Sequence, residues 1–182
     1  MNYSSQDLVH EHDAILFALR VLDEISDRVH EGKDVPPGDI IELIEFLKLF
    51  ADKCHHGKEE GFYFPAIESA GIPRANGPIG VMLSEHDAGR AFIKEMQSSV
   101  SEIISDKEGF VKAAKGYVEL LRSHIEKENT VLFPMGDAKL SEAKHKELLV
   151  EFEEFEENVI GKGKHEELHK QLEEFNRKYL KK

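Results

Sequence analysis

Hydrophobic positions in this chain recur at three- and four-residue intervals, the signature of one apolar helix face after another. Leu8, His12, Ile15, Leu19, Leu22 and Val29 make the inward stripe of a first helix, which Ser4 or Ser5 can cap and which runs to about Glu31. Gly32 to Gly38, with Pro36 and Pro37, read as a connector, and Asp39 opens a second helix with the stripe Ile40, Ile44, Leu47, Ala51, His55, Glu59 and Phe62. Phe64-Pro65 follows closely, ahead of a crossing loop marked by Gly71, Pro73, Gly77 and Pro78. Pro78 is pre-set for the first turn of a third helix, whose stripe is Ile79, Leu83, His86, Gly89, Ile93, Met96, Val100 and Ile104. Ser105 and Glu108 give a capping box for a fourth, with Phe110, Ala113, Tyr117, Leu120, His124, Glu128 and Val131 turned inward. Two further amphipathic segments carry Leu148, Phe152, Phe155 and Val159, then Leu168, Leu172, Phe175 and Tyr179, with Gly161-Lys162-Gly163 between them. They predict a helical hairpin that needs the bundle or a partner to cover its stripes.

The fold class predicted is all-α, with a helical bundle over residues 1–140 and a C-terminal helical extension over 141–182. Composition agrees: 40% of residues are apolar and 33% charged, and 182 residues suffice for one core. A net charge of −12 with no basic stripe argues against nucleic acid and anionic membrane surfaces as partners. No apolar run approaches the roughly 20 residues that span a bilayer, and the first residues lack a signal-peptide pattern, so a cytoplasmic location is expected. The single cysteine, Cys54, excludes an intrachain disulfide and reads as a small buried hydrophobe beside His55.

Two repeats lie on this scaffold. Residues 55–65 and 124–134 share His-x-x-Lys-Glu-x-x-x-x-Phe-Pro, and Glu-His-Asp-Ala occurs at 11–14 and again at 85–88. The chain therefore reads as two related helical hairpins that pair. A His and a Glu four residues apart share a helix face, so the repeats put His12, His55, Glu59, His86, His124 and Glu128 on core-facing stripes. Two buried carboxylates with no stripe Lys or Arg cost several kcal/mol, a difficulty that a bound cation removes. Imidazole with carboxylate suits iron, manganese or zinc. Counting about twelve positions for two octahedral ions, four histidines, two bridging carboxylates and a bridging oxide or hydroxide leave roughly two for a small ligand such as dioxygen, nitric oxide or peroxide. An alternative pair, His56 with Glu60, lies about 100° off the stripe and has no matching pair in the second copy, where those positions are Ile125 and Asn129; it ranks lower. His10 reads as a surface histidine, and the tail pairs Glu142-x-x-His145 and Glu166-x-x-His169 as surface residues.

Residues 5 to 135 resemble the hemerythrin-like, or HHE cation-binding, domain family through His12-Asp13, His55-x-x-x-Glu59, His86-Asp87, His124-x-x-x-Glu128 and the two Phe-Pro pairs. The resemblance implies an up-down-up-down four-helix bundle around a di-iron centre bridged by an oxo or hydroxo group and two carboxylates. The four histidines would be terminal ligands and the two glutamates bridges. Oxygen-carrying members look for a second histidine one turn after the third-helix ligand, where this chain has Arg90, and for an Asp five residues after the last His, where it has Glu128 at four.

The leading expectation is a di-iron protein that binds or senses dioxygen, nitric oxide or peroxide, with the tail hairpin as an output or homodimer surface. The alternatives are a di-iron enzyme or an iron-handling and repair protein in oxidative or nitrosative stress, and a structural bundle with zinc or an empty site. No catalytic residue emerges from the sequence, and Tyr117 reads as packing.

Overall fold

The computed structural model describes residues 3–101, 107–161 and 164–181, and among them it contains only helices and their connections. Helix α1 is Ser4–His30, α2 runs over 37–69, α3 is Pro78–Ser101, α4 runs over 107–137, α5 is Glu142–Val159 and α6 runs over 164–180. Ser105, Ile104 and Lys162-Gly163 lie outside the described residues.

Side-chain pairs fix the directions of the first four helices. Contacts of α1 with α4 run from Ser5–Asp137 through His12–Asn129 to Asp23–Lys115, an antiparallel register. Contacts of α2 with α3 run from Glu45–Gln97 to Glu60–His86, also antiparallel, and so do those of α1 with α2 through Glu11–His55 and Asp7–Lys58. The first four helices thus go up, down, up and down, as predicted. Most inward stripes are buried as expected, from Leu8 through Met96 and from Phe110 to Tyr117, whereas Leu121 is buried in place of the predicted Leu120. No helix among the described residues is long and apolar enough to cross a membrane.

Two local expectations fail, for different reasons. Neither Ser4 nor Ser5 caps α1: both lie inside its first turn and are buried, and the free N–H of Ser4 donates instead to His145 Nδ1 at 3.2 Å. An orphan helix-end donor takes whatever acceptor packs over it, and α5 supplies this one. His145 is consequently buried, not on the surface, while Glu142 is exposed. The side chains of Glu166 and His169 lie outside the described residues.

The second failure concerns the ends of α2 and α4. Both helices continue through Phe-Pro, to Ser69 and Asp137 respectively, because a wide turn precedes each proline. Phe64 N–H reaches back five residues to Glu59 O, and Phe133 N–H likewise to Glu128 O. A turn closed over five residues is the π-bulge, which absorbs an extra residue and shifts the helical phase of the residues beyond it. Hence Val131, predicted inward, is 50% exposed, while Leu132 takes the inward place. The stretch Leu47–His56 is also wide-turned, so that Cys54, His55 and His56 are all buried in succession.

The C-terminal hairpin packs on this bundle. Phe152 and Phe155 of α5 meet Phe62, and Gly57 sits so close to Phe155 that an added Cβ would lie 2.8 Å from the ring. Ile160, Leu168, Leu172, Phe175 and Tyr179 join the hydrophobic cluster built by α1 and α2. The tail's apolar stripes are therefore covered by its own chain.

Candidate metal centre

The structure brings all six predicted residues together in the middle of the bundle. His12 comes from α1, His55 and Glu59 from α2, His86 from α3, and His124 and Glu128 from α4, each no more than 1% exposed. Glu128 Oε2 lies 3.3 Å from His12 Nε2 and 3.2 Å from His124 Nε2. Glu59 places Oε1 3.6 Å from His55 Nε2 and Oε2 3.3 Å from His86 Nε2. Each carboxylate therefore faces a histidine from both halves of the molecule.

The sequence repeats acquire a structural meaning around this centre. Each site histidine turns Nε2 inward and has Nδ1 held by an oxygen from a neighbouring helix. Glu11 holds His55 at 2.9 Å and Glu85 holds His124 at 3.0 Å, so the Glu of each Glu-His-Asp-Ala motif orients the histidine of a His-x-x-Lys-Glu motif. Asn129 holds His12 at 2.8 Å and Glu60 holds His86 at 2.7 Å, both from the position after the site glutamate. The repeated lysines pair with those outer glutamates, Lys58 with Glu11 at 2.8 Å and Lys127 with Glu85. The repeated phenylalanines lie flat on histidines of the other half, Phe133 on His12 and Phe64 on His86, at ring separations of 5.6 and 5.7 Å. The repeats marked these residues in the sequence, but their roles and partners are visible only in three dimensions.

The fit to a metal can be tested on the site's own atoms. His12 Nε2, His55 Nε2 and all four oxygens of Glu59 and Glu128 are buried without a hydrogen bond, although several lie within 4 Å of one another. His86 Nε2 and His124 Nε2, both acceptors in the neutral ring, are only 3.2 Å apart. Buried polar atoms are nearly always satisfied, and a cluster of inward lone pairs with orienting hydrogen bonds behind every ring is what metal ligation requires. The donors fit a cation. Two sets of ligand atoms lie within 4.8 Å of one another: His12, His55, Glu59 and Glu128, and His56, Glu59, His86 and His124. A third set, Glu11, Cys54 and Glu156, is served already by the ammonium of Lys58, which bonds both glutamates.

Electrostatics describe the strain that the cation relieves. Burial opposes ionisation of Glu128, yet His124 and His12 outweigh it and hold that carboxyl well below its ordinary range. Glu59, desolvated and beside Glu128, is pushed well above it. Burial and His12 together lower His55 to about 4, whereas at His124 the pull of Glu128 overcomes burial and raises the imidazole to about 9. Burial and the neighbouring Glu128 thus oppose ionisation of Glu59, an opposition that a bound metal would relieve.

His56 corrects the sequence reading. The wide turn of α2 brings it into the centre beside His55, 2% exposed, while Glu60, its expected partner, turns outward to His86 and Arg90. Straight-helix geometry could not have placed it there; two adjacent histidines ahead of an irregular turn were the one available hint. Arg90 also bonds Asp52 and Asp87, so it lies behind the centre as part of the outer shell. His10 is exposed, and Tyr117 is buried in the apolar cluster, as predicted. Burial pushes the Cys54 thiol pKa up, which keeps it unreactive.

The outer carboxylates give a direct prediction. Replacing Glu85 by Ala should weaken metal binding about 10- to 100-fold, the usual cost of losing such a partner. Competition against a chromophoric chelator measures it.

The hemerythrin HHE cation binding domain matches residues 4–136 of the chain. The iron-sulfur cluster repair protein YtfE of Dickeya chrysanthemi (strain Ech1591) is 35% identical over 131 residues, which are 68% of this chain and 58% of that protein. The protein of the same name from Escherichia coli O1:K1 / APEC is 32% identical over 117 residues, 59% of this chain and 51% of that protein. The chain thus spans little more than half the length of these curated relatives.

Proposed function

The chain belongs to the hemerythrin HHE cation-binding domain family, whose hemerythrin-like domain implies non-haem iron, and on that premise we propose that it holds a pair of iron ions for the repair of iron–sulfur clusters. The observation that carries the proposal is the buried set of histidine nitrogens and glutamate oxygens that have no hydrogen-bond partner of their own. The likeness to proteins named for iron–sulfur cluster repair favours iron handling in oxidative or nitrosative stress over the binding or sensing of dioxygen, nitric oxide or peroxide to which coordination counting first leads. When bound, iron supplies a reducible, dissociable Lewis acid. The chain's part is to orient four imidazoles through Glu11, Glu60, Glu85 and Asn129 and to keep water out with Phe64 and Phe133. A donor set of imidazole and carboxylate without thiolate is suited to giving iron up to a cysteine-ligated cluster. A reducing, cytoplasmic compartment, where thiols persist, is the setting this role needs.

The test is transfer. Iron-loaded protein is mixed with a damaged iron–sulfur enzyme, a thiol and a sulfide source, and cluster recovery is followed by electron paramagnetic resonance. Recovery several-fold faster than with a chelator-buffered ferrous salt, and absent with a His55→Ala/His124→Ala variant, is expected. Recovery no faster than with the buffered salt, from protein that keeps its iron, would refute iron handling.

A further inference from the structure

Behind three of the site histidines stands a carboxylate, and behind each carboxylate a cation. Glu11 accepts the Nδ1 proton of His55 on Oε2 and a bond from the Lys58 ammonium on Oε1. Glu85 joins His124 to Lys127 in the same way, and Glu60 Oε1 accepts from both His86 Nδ1 and the Arg90 guanidinium. The fourth histidine differs in two respects at once. His12 is held by the neutral amide of Asn129, and the position that matches Arg90, four residues after the histidine of the Glu-His-Asp-Ala motif, is Leu16. Between the two halves of the chain, anion and cation are thus present together as Glu60 and Arg90, or replaced together by Asn129 and Leu16. Orientation of the ring does not account for this, since Asn129 holds His12 at 2.8 Å without any cation and Glu60 holds His86 at 2.7 Å. Charge does. A carboxylate bonded to Nδ1–H raises the basicity of the ring and favours the more highly charged metal ion, and a cation on the same carboxylate cancels that bias. Asp7, Glu156, Asp52 and Asp87 also touch these cations, but they stand one bond further from the three histidines and reach solvent, which screens them.

We propose that Lys58, Arg90 and Lys127 are positioning residues that act through Glu11, Glu60 and Glu85 to raise the centre's preference for ferrous over ferric iron. The inference rests on the iron-handling reading above and gives it a physical basis. Ferrous iron, with its lower charge, is held less tightly by imidazole and carboxylate than ferric iron and leaves them more readily. An outer shell of three uncompensated carboxylates would favour the ferric ion and its retention; three compensated ones and an amide do not.

The experiment is an anaerobic redox titration of the iron-loaded full chain with mediator dyes, followed optically and by electron paramagnetic resonance. Lys58 is left in place because its burial makes it part of folding, whereas the side chains of Arg90 and Lys127 are 37% and 38% exposed. Arg90→Gln and Lys127→Gln should each lower the midpoint potential by about 30 mV, an about threefold loss of ferrous preference at ~59 mV per tenfold for one electron. Arg90→Lys and Lys127→Arg, which keep the charge, should titrate with wild type. Glu85→Gln/Lys127→Gln, which removes anion and cation together and leaves an amide to hold His124, should return to the wild-type potential. Cations that only hold the carboxylates in place would weaken both oxidation states alike: wild-type potentials in both single Gln variants, with iron still bound, would overturn the inference and leave the metal centre standing. So would a double variant as low as Lys127→Gln alone. A wild-type chain that binds no iron would overturn the iron reading and this inference with it. Helical content by circular dichroism shows that each variant is folded.

Discussion

Replacing Glu59 by Gln should stabilise the metal-free chain and destabilise the metal-loaded one. Without metal, Glu59 is desolvated beside Glu128 and its folded pKa lies well above the unfolded value of 4.5. A carboxyl in that condition binds its proton more tightly when folded, so stability falls as pH rises above the unfolded value. Gln keeps the shape, carries no titrating proton and removes that slope; a gain of about 1–3 kcal/mol at neutral pH is expected in urea unfolding. With metal, the same change removes an anionic oxygen shared between the two halves of the site. Ligand-linked stabilisation, about 4 kcal/mol when metal is present at a thousandfold its dissociation constant, is then lost. The opposite signs discriminate: a glutamate kept for packing alone would show one sign in both states.

Lys58→Ala should be the most damaging single change outside the centre. The Lys58 ammonium is almost wholly buried and bonds Glu11 at 2.8 Å, Glu156 at 2.9 Å and Asp7 at 3.3 Å. Removing it leaves the buried Glu11 carboxylate without its cation, which costs about 3–5 kcal/mol. Metal binding should weaken as well, because Glu11 also orients His55. The matching change in the second repeat, Lys127→Ala, should cost no more than about 1 kcal/mol, since that lysine is 38% exposed where Lys58 is buried. A Lys58→Met/Glu11→Gln double variant should recover much of the loss, a coupling that a double-mutant cycle in urea measures. Equal losses at Lys58 and Lys127 would contradict this account.

The two variants mark the boundary between what the chain announces and what it conceals. Helix faces were legible because apolar residues keep their phase over many turns, and the six central residues were legible because both motifs occur twice. The outer shell was only half legible: Lys58, Glu11 and Glu85 stood in the repeats, but pairing across helices depends on register, which spacing within one helix does not encode. The wide turns were not legible at all. Two of them lie just ahead of Phe64-Pro65 and Phe133-Pro134, where the latter's phase shift puts Val131 outside, and the wide stretch Leu47–His56 puts His56 inside, against a strict helical count. His145 was misplaced for a similar reason, since the acceptor for a helix end 141 residues away leaves no local trace.

These outer interactions bear on function through rigidity. Glu11 touches His55, Lys58 touches Glu11, and Glu156 of the tail touches Lys58, so the C-terminal hairpin is mechanically joined to one site histidine.

The central claim, that the repeated histidines and glutamates hold a pair of iron ions, is tested most directly by metal analysis of protein purified without chelators, beside the His55→Ala/His124→Ala variant. About two irons per wild-type chain and none in the variant is the result predicted. Zinc alone, or the same metal content in both proteins, would contradict it.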